Sequence, residues 1–153
     1  MLNEIRAASG EGSRRPARAT AGEVAPAGST PPRVLIVEDE LFVAWHLESI
    51  VQDLRFDVCA IVPNAEQALA RARAADVDVI LMDINLGAGM DGIETARRMR
   101  QRAPRPVVFV TAYGDEQMLR RVNAAVPGAP VVIKPVTAEA LRAAIMTALK
   151  KAQ

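Results

Sequence analysis

The chain has 153 residues, half of them apolar, and a formal net charge of +1, which favours one domain with an ample core. Four arginines and three glutamates lie in residues 1–32, so residues 33–153 hold 15 basic and 15 acidic side chains, and this neutral body gives no electrostatic case for nucleic acid. No apolar run approaches the ~18 residues of a membrane helix, and the single cysteine, Cys59, cannot form an internal disulfide, so the expected setting is the cytoplasm, without membrane insertion.

Residues 1–32 are rich in Ala, Gly, Pro, Ser and Arg and lack apolar periodicity, so they are expected to form a disordered arm. Val34 to Val37 reads as a short buried strand closed by the acids Glu38, Asp39 and Glu40. Val43, Leu47, Ile50, Val51 and Leu54 then share one face of a helix. Val58 to Val62 is a second strand, closed by Pro63. Asn64-Ala65-Glu66-Gln67 resembles a capping box opening a helix that runs to about Arg73, with Ala68, Leu69 and Ala72 inward. Val77 to Asp83 is a third strand, apolar almost throughout and ending on a carboxylate. Gly87, Gly89 and Gly92 loosen the loop that follows, and Ile93, Ala96 and Met99 carry a helix to about Arg102. Val107 to Val110 is a fourth strand ending on Thr111. Met118, Val122 and Ala125 mark a short helix over 116–125. Val131 to Ile133 is a fifth strand ending on Lys134-Pro135, and Thr137 caps a last helix with Leu141, Ala144, Ile145 and Ala148 inward. Strands alternating with helices at this spacing predict one doubly wound α/β domain over residues 33–150, a flavodoxin-like five-stranded parallel sheet covered on both faces.

In such a sheet all strands end at one edge, where ligands and chemistry collect. That edge would receive Glu38, Asp39, Asp83, Thr111 and Lys134. Clustered carboxylates repel and need cations. Hard oxygen ligands suit Mg²⁺, and a lysine and a hydroxyl suit phosphoryl oxygens. These residue types permit attack by a carboxylate on a phosphoryl group to give an acyl phosphate.

From Arg33 to Lys150 the ordered set Glu38-Asp39, Asp83, Thr111-Ala112 and Lys134-Pro135 resembles the receiver domains of bacterial two-component response regulators. The resemblance implies that Asp83 accepts phosphate from a histidine kinase or a histidine phosphotransfer protein and passes the signal to a downstream protein. It also implies direct Mg²⁺ binding by Asp39 and Asp83, binding through water by Glu38, and a main-chain carbonyl ligand from Asn85. Thr111 and Lys134 would hold the phosphoryl oxygens, the Lys134–Pro135 bond would be cis, and the small Ala112 would keep the site accessible. Three departures stand out. The loop after Asp83 carries Gly87 in place of the family's proline and is one residue longer. Val131 stands where the family's switch aromatic lies, leaving Tyr113 as the nearest aromatic and the candidate switch or gate. Nothing resembling an output domain follows the last helix, so a stand-alone regulator is expected.

Competing readings are weaker. Gly87-Ala88-Gly89-Met90-Asp91-Gly92 matches a dinucleotide fingerprint, but three residues separate its glycines from the strand, and Thr111 stands where a ribose-binding acid is wanted. An aspartate-based phosphatase or phosphotransferase would want a second acid two residues after the nucleophile, where Asn85 stands. An unphosphorylated interaction module would not need the full set of acids, threonine and lysine. The lone His46 falls off the apolar helix face and reads as a surface residue. At about 100° per residue Trp45 lies nearly opposite the core face, so it is expected to be exposed and to contact the kinase, together with Leu41. Cys59 reads as a small buried hydrophobe.

Overall fold

A computed structural model describes residues 29–152. The expected arm falls, for residues 1–28, outside the described residues. The order is β1 (Arg33–Val37), α1 (Leu41–Asp53), β2 (Asp57–Val62), α2 (Ala65–Arg71), β3 (Val79–Asp83), α3 (Gly92–Arg102), β4 (Val107–Thr111), α4 (Glu116–Ala125), β5 (Val131–Ile133) and α5 (Ala138–Lys151). The five strands form one parallel sheet in the order β2-β1-β3-β4-β5. The order reverses after β1, which opens a crevice at the carboxyl ends of β1 and β3.

Two cores cover the sheet, as alternation along each strand requires. Leu35, Ile80, Met82 and Phe109 pack with Ala68 of α2, Ile93, Ala96 and Met99 of α3, and Val122 of α4. Val34, Ile36, Leu81, Val108 and Val110 pack on the other side with Leu47, Ile50 and Val51 of α1 and Leu141 and Ile145 of α5. β1, β3 and β4 are buried on both faces apart from Arg33, which explains their unbroken apolar sequence. Each such Val, Leu or Ile contributes about 1.5–3 kcal/mol by leaving water. The edge strand β2 is half-buried, and its pairing with β1 slips between Val34 and Leu35, so that Cys59 is the extra residue. The Cys59 thiol donates to the Val34 carbonyl at 3.3 Å, and burial pushes its pKa up.

Four of the five helix starts among the described residues, all but that of α1, are capped by a side chain. Asn64 and Thr137 accept from the N–H groups of Gln67 and Ala140, as the sequence predicts. Asp91 and Asp115 do the same for α3 and α4, accepting from Glu94 and Met118. The expected inward set of α1 shifts slightly: Ala44 is buried, whereas Val43 and Leu54 are half-buried. α2 stops at Arg71 and not at Arg73, and just beyond its end Arg105 donates to the Ala72 and Ala74 carbonyls at 3.3 and 3.2 Å.

Gly92 decides how closely α3 approaches β3. Its N–H donates to the Ile84 carbonyl at 2.8 Å, and a Cβ there would land on the carbonyl oxygen of Asp83. The obstacle is backbone, so no rotamer change relieves it. Gly92→Ala is expected to cost about 3 kcal/mol in urea unfolding and to displace Asp83. A loss under about 0.5 kcal/mol, the scale of ordinary surface changes, would show that the approach is not constrained.

Candidate functional site

At the carboxyl edge the sheet gathers the predicted residues. β1 ends at Val37, so Glu38 and Asp39 emerge at the crevice, and Glu38 is almost fully buried while Asp39 is exposed. Asp83 ends β3 and is 5% exposed. One carboxylate oxygen from each of Glu38, Asp39 and Asp83 lies within 4.8 Å of the others, the spacing of a set able to share one cation. Among the described residues this is the one such group. Lys134 follows β5, and its Nζ reaches Glu38 Oε2 at 3.1 Å and Asp83 Oδ1 at 3.6 Å. The Lys134–Pro135 peptide is cis.

The remaining contacts hold these groups in place. Glu38 Oε1 accepts from the Glu40 N–H at 3.2 Å, and Asp83 Oδ1 accepts from the Asn85 N–H at 3.3 Å. Asn85 therefore meets the site through its main chain, while its side chain is exposed. Thr111 ends β4 and is fully buried, and its hydroxyl accepts from the Tyr113 N–H at 3.1 Å and donates to the Tyr113 carbonyl at 3.2 Å. The Lys134 N–H donates to the Thr111 carbonyl at 2.8 Å, tying the ends of β4 and β5 together. Ala112 is exposed beside Thr111, as access to the crevice requires. Tyr113 is 64% exposed, and Val131, where an aromatic was missing, packs against the core that Phe109 anchors.

The glycine run belongs to this pocket. Gly87 adopts φ +74°, and a Cβ there would lie 3.3 Å from Asp39 Oδ2, so the loop folds against the acid. Asp91 is held at both ends, capping α3 through Oδ1 and pairing with Arg121 of α4 through Oδ2 at 2.7 Å. That tie between the loop and α4 was not predicted. Sequence offers no sign of it, because 30 residues separate the partners. A second omission is Phe42. It is 81% exposed, precedes Trp45 by one helical turn, and meets it edge to face with centroids 5.8 Å apart. Its i,i+3 spacing from Trp45 was the available signal. Trp45 and Leu41 are exposed as expected, at 51% and 55%.

The electrostatics fit a cation site. Three carboxylates face one lysine, a formal charge of −2 that a divalent ion balances. Burial first, then the neighbouring Asp83 charge, raises the Glu38 pKa from 4.5 to about 7 against the lowering effect of Lys134. Burial pushes Asp83 up as well, opposed by Lys134 and by its hydrogen bond with Glu38.

This is an open doubly wound α/β protein with a charged crevice at its switch point. The model of the response regulator receiver domain matches residues 34–146. The chain is 42% identical over 107 residues to a protein-glutamate methylesterase/protein-glutamine glutaminase of Paramagnetospirillum magneticum, covering 68% of this chain and 30% of that protein. It is 33% identical over 118 residues to the sensory transduction protein RegX3 of Mycobacterium tuberculosis, covering 77% of this chain and 51% of the relative. The solved receiver domain of a modulated diguanylate cyclase from Desulfovibrio desulfuricans G20 superposes with a TM-score of 0.71 at 34% identity, over 79% of this chain and 95% of that one. The chain belongs to the response regulator receiver family. It spans about half or less of these two curated relatives. Among the described residues no helix is long and apolar enough to cross a membrane.

A buried acid with a raised pKa makes stability depend on pH. The folded state holds the Glu38 proton up to about pH 7, whereas an unfolded glutamate releases it near 4.5. Stability of the metal-free protein therefore falls as pH rises through that window. In EDTA the melting temperature is expected to drop by several degrees from about pH 5 to about pH 8, and Glu38→Gln to flatten the drop. An equal slope in the variant would place its origin elsewhere.

Proposed function

We propose that this receiver takes a phosphoryl group on Asp83 from a phosphohistidine of a histidine kinase or phosphotransfer protein, and acts as a phosphorylation-dependent interaction switch or relay intermediate. The observation that carries this reading is the meeting of the Glu38, Asp39 and Asp83 carboxylates within 4.8 Å, with the Lys134 ammonium 3.6 Å from Asp83. An Asp83 carboxylate oxygen attacks phosphorus, the P–N bond breaks, and the imidazole leaves with the electron pair. Hydrolysis of the acyl phosphate returns the carboxylate and inorganic phosphate, so the chain acts only on its own phosphorylation state.

Asp39, exposed beside Gly87, and Asp83 would hold Mg²⁺ directly, Glu38 through water, and the Asn85 main-chain carbonyl would complete the protein ligands. Bound there, the ion supplies charge stabilisation to the transferring group. Lys134 already bridges Glu38 and Asp83 and is placed to turn toward a phosphoryl oxygen. Thr111 supplies the second donor only by releasing the Tyr113 carbonyl. That exchange links phosphorylation to the Tyr113 loop, with Tyr113 as the switch or gate that Val131 cannot be. The exposed cluster of Leu41, Phe42 and Trp45 begins two residues after Asp39, and this nearness in the chain together with its exposure supports it as the docking surface for the kinase.

Incubation with acetyl phosphate and Mg²⁺ is expected to add one phosphoryl group by intact mass, lost with EDTA and in Asp83→Asn. Absence of an adduct would defeat the reading, and turnover of an exogenous phosphoester would favour an aspartyl-phosphate enzyme instead. Trp45→Ala is expected to slow transfer from the cognate kinase by roughly tenfold, the effect of losing an interface aromatic worth about 1–2 kcal/mol, while labelling by acetyl phosphate is preserved. Wild-type transfer would exclude docking through Trp45. Tyr113→Ala is expected to change the decay rate of the phosphorylated protein or its affinity for a downstream partner; if neither moves, Tyr113 has no switching role.

A further inference from the structure

The other edge of the sheet has the opposite character. Between the C-terminal ends of α3 and α5 and the segments leading into β4 and β5 lies an open cleft of about 350 Å³. Pro106, Pro127 and Pro130 line it along with Arg100, Arg105 and Lys151, and no acidic residue does. Among the described residues none of these three cations pairs with a carboxylate. They donate to main-chain carbonyls instead: Arg100 to Ala125 at 3.1 Å, Arg105 to Ala72 and Ala74, and Lys151 to Gly128.

Capping of helix ends accounts for part of this arrangement. Each helix C-terminus is worth about half a negative charge, so the ends of α2, α3, α4 and α5 together offset about two. Three cations line the cleft, and Arg102 and Lys150 in the last turns of α3 and α5 add two more. Positive charge is left over. So are donors, since a guanidinium has five N–H groups and an ammonium three. Proline walls beside guanidinium groups offer flat, weakly hydrated surfaces, whereas guanidinium and ammonium groups together match phosphate oxygens. The volume lies at the lower end of the ~300–1,000 Å³ range of small-molecule sites.

We propose that this cleft binds a small organic phosphate of mononucleotide size, with the phosphate on Lys151 and the two arginines and the flat base against the prolines. The site lies at the sheet edge opposite Asp83 and does not depend on phosphorylation there. Calorimetric titration of the full chain with AMP, in EDTA and at low salt, tests it. Binding in the millimolar range or tighter is expected, weakened by roughly tenfold in Lys151→Gln and in Arg105→Gln, as for the loss of one charge-assisted hydrogen bond. Circular dichroism checks the fold of each variant, and if Arg105→Gln unfolds, Lys151→Gln, at an exposed position in the last turn of α5, still decides. Absence of binding, or an affinity in both variants equal to that of the unsubstituted chain, overturns the proposal. Inorganic phosphate binding as tightly as AMP overturns the organic part of it, leaving charge alone.

Discussion

The structure depends on holding two buried carboxylates beside one another. Glu38 and Asp83 approach within 4.8 Å out of water, a repulsion of at least roughly 3 kcal/mol at an effective dielectric constant of ~20. Lys134 stands nearer to both than they need stand to each other, so its attraction to either is of the same order with the opposite sign. One ammonium offsets one carboxylate. The other, and the desolvation of both, remain, and Glu38 responds by holding its proton to about pH 7. Such a corner stays folded only because neighbouring structure is rigid, and it is poised to gain from any added cation.

The rigidity comes from β1 and β3, whose residues beyond Arg33 are buried on both sides and whose adjacency fixes the spacing of Glu38, Asp39 and Asp83. Lys134 arrives from two strands away, through β4 and a main-chain bond from its own N–H to Thr111. Gly87 and Gly92 contribute by lacking side chains. One lets the loop lie on Asp39, and the other lets α3 begin against the backbone of Asp83. The pocket is thus an outcome of sheet order and close backbone approach, with few side-chain contacts of its own.

This explains which features were legible in the sequence. Strand ends, the chemistry of the acids and lysine, and the exposure of Trp45 follow from local pattern, because a parallel sheet sends every strand terminus to one edge. The cap at Asn64 follows for the same reason, since its partner is three residues away. What was missed is long-range or depends on shape. Arg105 bonds the carbonyls at the end of α2 across more than 30 residues, Asp91 meets Arg121 across 30, and the Gly92 requirement exists only once α3 is docked on β3. Phe42 is different: its spacing from Trp45 was readable, but Trp45 alone was singled out as the exposed aromatic.

On the proposed reading Thr111 links the pocket to the surface. Its hydroxyl is fully buried, yet both of its hydrogen bonds go to the backbone of the exposed Tyr113. A hydroxyl has one proton to donate. On that reading a phosphoryl oxygen on Asp83 and the Tyr113 carbonyl cannot both receive it, so phosphorylation would remove one of the two bonds shaping that turn. The fifth-strand position that an aromatic would fill holds Val131, packed against the core and without a group to follow the hydroxyl. On the proposed reading the consequence of phosphorylation is therefore confined to the β4–α4 loop, where Tyr113 is the one large side chain free to report it.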